Sequence, residues 1–204
     1  MHIPDGFLNT EVLVTTGAIS LASLSYSIKK LNQNIDPQRV PLMGVSASFV
    51  FVVQLLSFPV VAGTSAHLNC AVLISILLGP FSGLVIVASS LILHAILFQH
   101  GGILTLGANI LNIGITGCFL GFLIYKILKS SITGAFFASF FATIFSAILC
   151  AYELSLSGRT PINVAIVSMG GVHILIGAIE GFATVFILSI IKKIRPDLLE
   201  LKKI

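Results

Sequence analysis

The stretch from residue 68 to residue 98, LNCAVLISILLGPFSGLVIVASSLILHAILF, decides the fold. It is largely apolar, and it is too long for a single membrane-spanning helix of about 20 residues. Glycine and proline interrupt it once, in GPFSG at residues 79–83. We therefore expect a short helix over residues 68–78 and a full span over residues 81–98. Because the short helix reaches only about 16 Å, we expect protein to surround it.

The composition of the whole chain is typical of an integral membrane protein. Of its 204 residues, 56% are hydrophobic and 9% are charged, and the mean hydropathy is +1.10. A soluble domain has about a quarter of its residues charged. The apolar runs are long and continuous, which indicates helices rather than the alternating strands of a barrel. We expect an all-α polytopic bundle in the plasma membrane, built as one transmembrane domain over residues 1–204.

Five more apolar runs complete a predicted bundle of about seven transmembrane helices. An N-terminal arm over residues 1–9 precedes them, and a basic tail over residues 192–204 follows. The expected spans of these five runs are residues 10–28, 41–62, 108–128, 132–152 and 163–191.

The basic residues predict the topology, because Lys and Arg concentrate on the cytoplasmic side of membrane proteins. With seven crossings and an extracytoplasmic N-terminus, ten of the eleven Lys and Arg residues fall in the cytoplasm, and only Arg159 lies outside. The count holds only if residues 68–98 cross the membrane twice. We therefore expect a cytoplasmic C-terminal tail, with Met1 and His67 together on the extracytoplasmic side.

The first seven residues, MHIPDGF, offer a set of metal ligands. No basic residue precedes the first apolar run, so the basic region of a secretory signal is missing, and we expect these residues to be retained. The Met1 amine, the main-chain nitrogen of His2 and the His2 imidazole can hold one cation in adjoining five- and six-membered chelate rings. Pro4 has no N–H, so a fourth ligand has to come from elsewhere in the fold.

His67 is the candidate for that fourth ligand. It lies in a small-residue loop, GTSAHLN, before the short helix, and a helix N-terminus disfavours a charged imidazole. Metals bind the neutral ring. A Met-His start or a loop histidine alone is more often without function, and it is their shared side of the membrane that favours a site. Four nitrogens and no Met/Cys cluster favour Ni(II) or Co(II) as the bound ion.

The roles of several other polar residues have two possible interpretations each. Asp5 and Gly6 predict a turn that folds the arm back toward the helices. Four residues are candidates to support the ligands or to line the entry path, although a turn, capping or interhelical hydrogen-bonding role is as compatible with the sequence; they are Asp5, His100, Asn109 and Asn112.

The ionisable residues within the predicted spans are assigned no role from the sequence. His173 and Glu180 lie seven residues apart and so share a helix face. They form either a functional intramembrane pair or an interhelical hydrogen bond that orients the bundle. The role of His94 is open. The three cysteines, with no CxxC spacing, are interpreted as apolar core residues.

Four motifs resemble those of the CbiM/NikM family, the substrate-binding membrane subunits of cobalt and nickel energy-coupling-factor ABC transporters. The resemblance covers essentially the whole chain. The motifs are MHIPDGFL at the start, GTSAHL around His67, FQHGGILTLGANILN at residues 98–112 and HxxxGxxE at residues 173–180.

The resemblance implies a seven-helix fold with the N-terminal segment inserted into the bundle. It implies a metal held by the Met1 amine, by the His2 main-chain nitrogen and imidazole, and by the His67 imidazole. It also implies three kinds of partner: a transmembrane coupling subunit, ABC-type ATPases and a small accessory membrane protein. The chain departs from the family pattern after His67-Leu68, where glycines are usual and Asn69, Cys70 and Ala71 follow instead. No metal role is transferred to His100.

The leading functional hypothesis is therefore metal capture for uptake, with no catalytic activity and no cofactor besides the transported ion. No GxxxxGK[ST] motif is present, so the energy for uphill transport has to come from a partner or an ion gradient. Nucleic-acid binding is not expected. One alternative is a binding subunit for an organic vitamin, which the absence of Trp and the presence of only three Tyr disfavour. A second is an intramembrane enzyme, which has neither a paired nucleophile nor HExxH.

Overall fold

The computed structural model describes residues 2–34, 39–59 and 65–200. Nearly all of this part of the chain is helical, with one short two-stranded sheet. In chain order the elements are α1 (Thr10–Asn34), α2 (Arg39–Leu55), β1 (Ser57–Pro59), β2 (Ser65–His67), α3 (Ala71–Leu78), α4 (Pro80–Phe98), α5 (Leu106–Ile127), α6 (Ile132–Leu156), α7 (Ile162–Ile194) and α8 (Asp197–Glu200).

The helices α1 to α7 correspond to the seven predicted ones, which confirms the all-α bundle. Five of them, α1 and α4 to α7, are long and apolar enough to cross a membrane, and α2 is a shorter apolar helix. Large apolar side chains such as Val14, Leu21, Phe182 and Phe186 are exposed on the outer faces of the bundle. Lipid accommodates such side chains, so the protein is a multi-pass membrane protein.

The predicted end of the second helix is wrong. Helix α2 was expected to continue to Ala62, but it ends at Leu55. Pro59 disfavours a helical conformation at the preceding residue, and the chain becomes extended there. Strand β1 pairs antiparallel with β2, so that Ser57 lies opposite His67. His67 is therefore held at the end of a hairpin, whereas the sequence indicated a simple loop; residues 60–64 lie outside the described part of the chain.

Helix α3 is enclosed by protein, as its short length requires. Leu73 and Ile76 are buried, and α5 approaches so closely that a Cβ on Gly117 would lie 2.5 Å from the Ala71 Cβ. The central part of α5, Ile110–Leu120, has π-helical hydrogen bonding. Gly79, with φ of 85°, reverses the chain between α3 and α4. The start of α3 and the end of α4 consequently lie at the same end of the bundle.

Candidate metal centre

Four imidazole rings converge at this end of the bundle. His2 comes from the arm, His67 ends β2, His94 lies in the last turns of α4, and His100 follows α4. The His2 ring centroid is 4.7 Å from that of His67, 4.2 Å from that of His100 and 6.2 Å from that of His94. One ring nitrogen each of His2, His67 and His100 lie within 4.8 Å of one another. Rings this close can share one metal ion, since metal–nitrogen bonds measure about 2.1 Å.

The end of α4 places His100 beside the other rings. Gln99 has a left-handed conformation with φ of 52°, and it ends the helix. The His100 main-chain N–H then donates to the His94 carbonyl at 3.1 Å. This tight turn folds the chain back over the end of α4, so that two histidines six positions apart face the same arm.

The arm is held in the bundle at Ile3. Its N–H donates to Asn109 Oδ1 at 2.8 Å, and the Asn109 side-chain amide donates back to the Ile3 carbonyl at 3.1 Å. Thr105 Oγ1 and the Gly102 N–H donate to the same carbonyl at 2.6 and 3.0 Å. The Ile3 side chain is buried together with Leu8. Both backbone groups of the residue next to His2 are therefore fixed, which limits where the His2 ring can lie.

Asp5 caps the start of α5 from the arm. Its carboxylate accepts hydrogen bonds from the main-chain N–H groups of Ile103, Leu104 and Thr105 at 3.1, 2.9 and 3.1 Å. Ile103 and Leu104 precede the helix and Thr105 is its N-cap, so the carboxylate lies near the helix N-terminus, where the helix dipole favours a negative charge. A Cβ on Gly102 would overlap the Asp5 carboxylate, so the close approach depends on this glycine. The predicted turn at Asp5 thus closes onto the loop before α5.

The loop between α6 and α7 holds the far end of the arm. The Arg159 guanidinium donates to the carbonyls of Gly6 and Phe7, the latter at 3.0 Å. The Asn9 N–H donates to Ser157 Oγ at 3.0 Å, and the Asn9 side chain accepts from the Val12 N–H at 2.9 Å as the cap of α1. The arm is consequently attached to both loops that flank it.

The electrostatic environment keeps the clustered imidazoles neutral. Burial lowers the pKa of His67 to about 3. Burial, followed by the influence of the neighbouring His67, lowers the pKa of His2 well below its usual value. Burial also lowers the pKa of His100. Neutral imidazoles offer a lone pair to a metal. The site is therefore suited to a metal ion that prefers nitrogen ligands.

The predicted site residues fall into three groups. His2, His67 and His100 meet, and Asp5 and Asn109 hold the arm that carries His2. Met1 lies outside the described residues. Asn112 does not contact the arm through a described hydrogen bond; its side-chain amide donates to the Glu153 carboxylate at 2.6 Å, between α5 and α6.

The intramembrane residues His173 and Glu180 have separate partners. The His173 ring hydrogen-bonds the Met169 carbonyl at 2.7 Å within its own helix. The buried Glu180 carboxylate accepts a hydrogen bond from the Asn69 N–H, and Gln54 donates to the Asn69 carbonyl at 2.9 Å. Glu180 thereby anchors the loop segment that follows His67.

The sequence did not reveal the roles of His94, Thr105 and Arg159. Arg159 carried one signal, since it was the only basic residue expected on the same side as the arm. Thr105 carried none, because its hydroxyl acts through an arm residue more than 100 positions away. His94 was an isolated histidine in an apolar run, and only the packing of α4 shows that it adjoins the cluster.

Replacing Asp5 with alanine is expected to loosen the arm. The substitution leaves three N–H groups of the loop without their acceptor, and loss of a helix cap costs about 1 to 2 kcal/mol. We expect faster hydrogen exchange at residues 103–105 and a lower thermal unfolding midpoint. Glu11→Ala, which removes an exposed acid in the first turn of α1, is the matched control. Unchanged exchange at residues 103–105 would show that Asp5 does not cap this segment.

The chain matches known metal-transport proteins over its whole length. The family model described as the cobalt uptake substrate-specific transmembrane region, CbiM, matches residues 2–198. A putative fused nickel transport protein NikMN of Archaeoglobus fulgidus is 34% identical and covers 99% of this chain and 69% of the relative. A putative cobalt transport protein CbiM 1 of Methanosphaerula palustris is 32% identical and covers 98% and 92%, respectively.

The fold also matches solved structures. The crystal structure of a transition metal transporter superimposes with a TM-score of 0.87 at 30% sequence identity, covering 95% of this chain and 93% of that one. A truncated transition metal transporter superimposes with a TM-score of 0.86 at 29% identity. These relatives are transport proteins and not enzymes. The chain belongs to the CbiM family of cobalt-uptake substrate-specific transmembrane proteins.

Proposed function

We propose that this protein captures Ni(II) or Co(II) on the extracytoplasmic side of the membrane for ATP-driven uptake by an energy-coupling-factor transporter. The observation that carries the proposal is the approach of the His2 and His67 rings to 4.7 Å at the point where the arm enters the bundle. The names of the relatives, which include nickel and cobalt transport proteins, support the choice of ions. The excess of basic residues on one side supports the orientation.

The proposed ligands are the Met1 amine, the His2 main-chain nitrogen and imidazole, and the His67 imidazole. The hydrogen bonds at Ile3 support this set of ligands. They fix the residue next to His2, which provides two of the proposed ligand nitrogens. His100 has a ring nitrogen within 4.8 Å of those of His2 and His67, and its partly exposed side chain can receive an incoming ion. Residues 1–9 thus form a ligand arm within a single transmembrane domain that ends in the basic tail at residues 192–204.

In the proposed complex, other subunits supply the energy for transport. The sequence has no phosphate-binding loop. The partners of the proposed complex are a transmembrane coupling subunit, ABC-type ATPases and a small accessory membrane protein. In this arrangement the chain recognises the ion, and the partners convert ATP hydrolysis into movement.

A binding titration tests the proposal. Purified protein with a native N-terminus and a C-terminal tag is expected to bind one Ni(II) or Co(II) per chain, measured by equilibrium dialysis and metal analysis. Riboflavin, as a representative of the vitamin alternative, is expected not to bind. If the protein binds riboflavin and neither metal, the hypothesis of a vitamin-binding subunit replaces the proposal.

The same titration is expected to show weaker binding at acid pH. Burial lowers the pKa values of the His2 and His67 imidazoles, to about 3 for His67, so protonation of these rings does not explain a loss of affinity just below pH 7. The amine, with an ordinary pKa of about 8, and the His2 amide must still release protons to the solvent when the metal binds. Affinity should therefore fall by up to about 100-fold per pH unit as the pH decreases from 7. Affinity that is flat between pH 5 and 7 would exclude the amine and the amide as ligands.

A further inference from the structure

His94 has a ring nitrogen with no partner. Its side chain is fully buried on α4 and stacks on Phe51 of α2 with ring centroids 4.8 Å apart. His94 Nε2 lies 3.0 Å from the Phe51 carbonyl oxygen. A carbonyl can only accept, so Nε2 carries the proton, and Nδ1 of the neutral ring is left with a bare lone pair. Among the described residues, this buried Nδ1 has no hydrogen-bond partner.

His2 also has a buried ring nitrogen without a hydrogen-bond partner among the described residues. This nitrogen is Nε2. If the metal is chelated by the main-chain nitrogen and the ring of His2, the ring must use Nδ1, because only Nδ1 closes the six-membered chelate. Nε2 of the neutral ring then carries the proton. Metal binding therefore makes His2 Nε2 a buried donor without an acceptor.

We propose that His94 is a positioning residue for the metal, whose Nδ1 accepts a hydrogen bond from His2 Nε2–H when the ion is bound. This inference rests on the proposed function. The two rings lie edge to face, at 69°, with centroids 6.2 Å apart. Ring nitrogens lie about 1.1 Å from the centroid, so aligned nitrogens would be about 4 Å apart, and an approach of about 1 Å would give an ordinary hydrogen bond.

The result is a chain of contacts from α2 to the metal. The Phe51 carbonyl orients His94, His94 orients His2, and His2 holds the ion through Nδ1. Metal-binding histidines commonly donate their second ring N–H to such a partner, which fixes the ring and makes it a stronger donor. His100 is nearer to His2, but its ring is partly exposed and can hydrogen-bond to water, whereas His94 Nδ1 is shielded from it.

The test compares two substitutions of His94 in the full chain with a native N-terminus. His94→Leu removes the acceptor, whereas His94→Gln can donate to the Phe51 carbonyl through its amide nitrogen and accept through its amide oxygen. Ser90→Ala, one turn earlier on α4 and near the Ala47 carbonyl of α2, controls for changes in the same helix contact. The readouts are the Ni(II) dissociation constant and the wavelength of the Ni(II) d–d absorption band.

We expect His94→Leu to weaken Ni(II) binding by about 10- to 100-fold and to move the band to longer wavelength, since His2 becomes a weaker donor. His94→Gln and Ser90→Ala should remain within about threefold of the parent, with the band unmoved. Equal affinity in His94→Leu and the parent overturns the inference, as does equal loss in the Leu and Gln variants. A parent protein that binds no metal overturns the proposed function instead.

A measurement on the unsubstituted protein covers the case in which His94→Leu does not fold. Nitrogen-15 NMR of histidine-labelled protein distinguishes a bare ring nitrogen from one that accepts a hydrogen bond. The His94 Nδ1 resonance should lie at the bare position without metal and move toward the hydrogen-bonded position when diamagnetic Ni(II) is added. A His94 resonance that does not move, or a proton on Nδ1, overturns the inference.

Discussion

Adding three residues before Met1 is expected to weaken Ni(II) binding by at least about 1,000-fold, or about 4 kcal/mol. The extension turns the Met1 amine into an amide, which coordinates a metal only after losing its proton and is therefore a much weaker ligand at neutral pH. Three residues are added because a single one would place a new amine two residues before His2 and complete a different four-nitrogen chelate. The extension also adds bulk where the arm enters the cluster beside His67 and His100. Equilibrium dialysis of the parent and extended proteins measures the effect. Thermal unfolding without metal should differ little, because the described hydrogen bonds of the arm begin at Ile3.

The matched control replaces the Met1 side chain and keeps the amine. A chain that begins with alanine at position 1, released from an upstream tag by a protease, presents the same free amine before His2. This protein should bind Ni(II) within about threefold of the parent. If the extended chain binds as tightly as the parent, the amine is not a ligand. If the alanine chain loses binding, the Met1 side chain is required.

Replacing His67 with alanine is expected to weaken Ni(II) binding by about 100- to 1,000-fold, which corresponds to about 3 to 4 kcal/mol. His67 is the proposed ligand that comes from outside the arm, so its loss disconnects the ion from the hairpin. The fold should tolerate the change, because Glu180 and Gln54 hold the main chain at Asn69 independently of the His67 ring. Ni(II) titration and thermal unfolding of the same preparation separate the two effects.

His173→Ala is the control for His67→Ala. His173 is also a partly buried histidine, but its described hydrogen bond stays within its own helix. The His173→Ala protein should bind Ni(II) with the affinity of the parent. His100→Ala adds a second comparison, since His100 has a ring nitrogen within reach of the same ion. If His100→Ala loses binding while His67→Ala keeps it, the fourth ligand is His100 and the proposed assignment is wrong.

The bundle was largely predictable because its signals are local. Apolar runs of membrane-spanning length mark the helices, and GPFSG marks the reversal at Gly79. The hairpin that carries His67 was missed, because strands of three residues leave no measurable periodicity. Pro59 was the available signal, since it opposes continuation of the second helix.

The site was predictable only in its chemistry. His2 and His67 were singled out as ligands, and Asp5 and Asn109 as support, from residue type and from the side of the membrane. The partners of Asp5 and Asn109 could not be deduced, since each contact joins the arm to residues about 100 positions away. The position of His94 depends on how α4 packs against α2, and an apolar run does not specify which face a helix turns toward its neighbour.

The attachment of the arm has a consequence for kinetics. The arm both carries proposed ligands and is hydrogen-bonded to the two flanking loops through Asp5 and Arg159. An ion bound in this way cannot depart by the loosening of a single bond, because the segment that coordinates it is also tied to the protein behind it. Detachment of the arm is then one route of release, and its rate depends on the hydrogen bonds of Asp5 and Arg159 as well as on the metal–nitrogen bonds. A transporter partner that pulls on either loop would accelerate release without touching the metal.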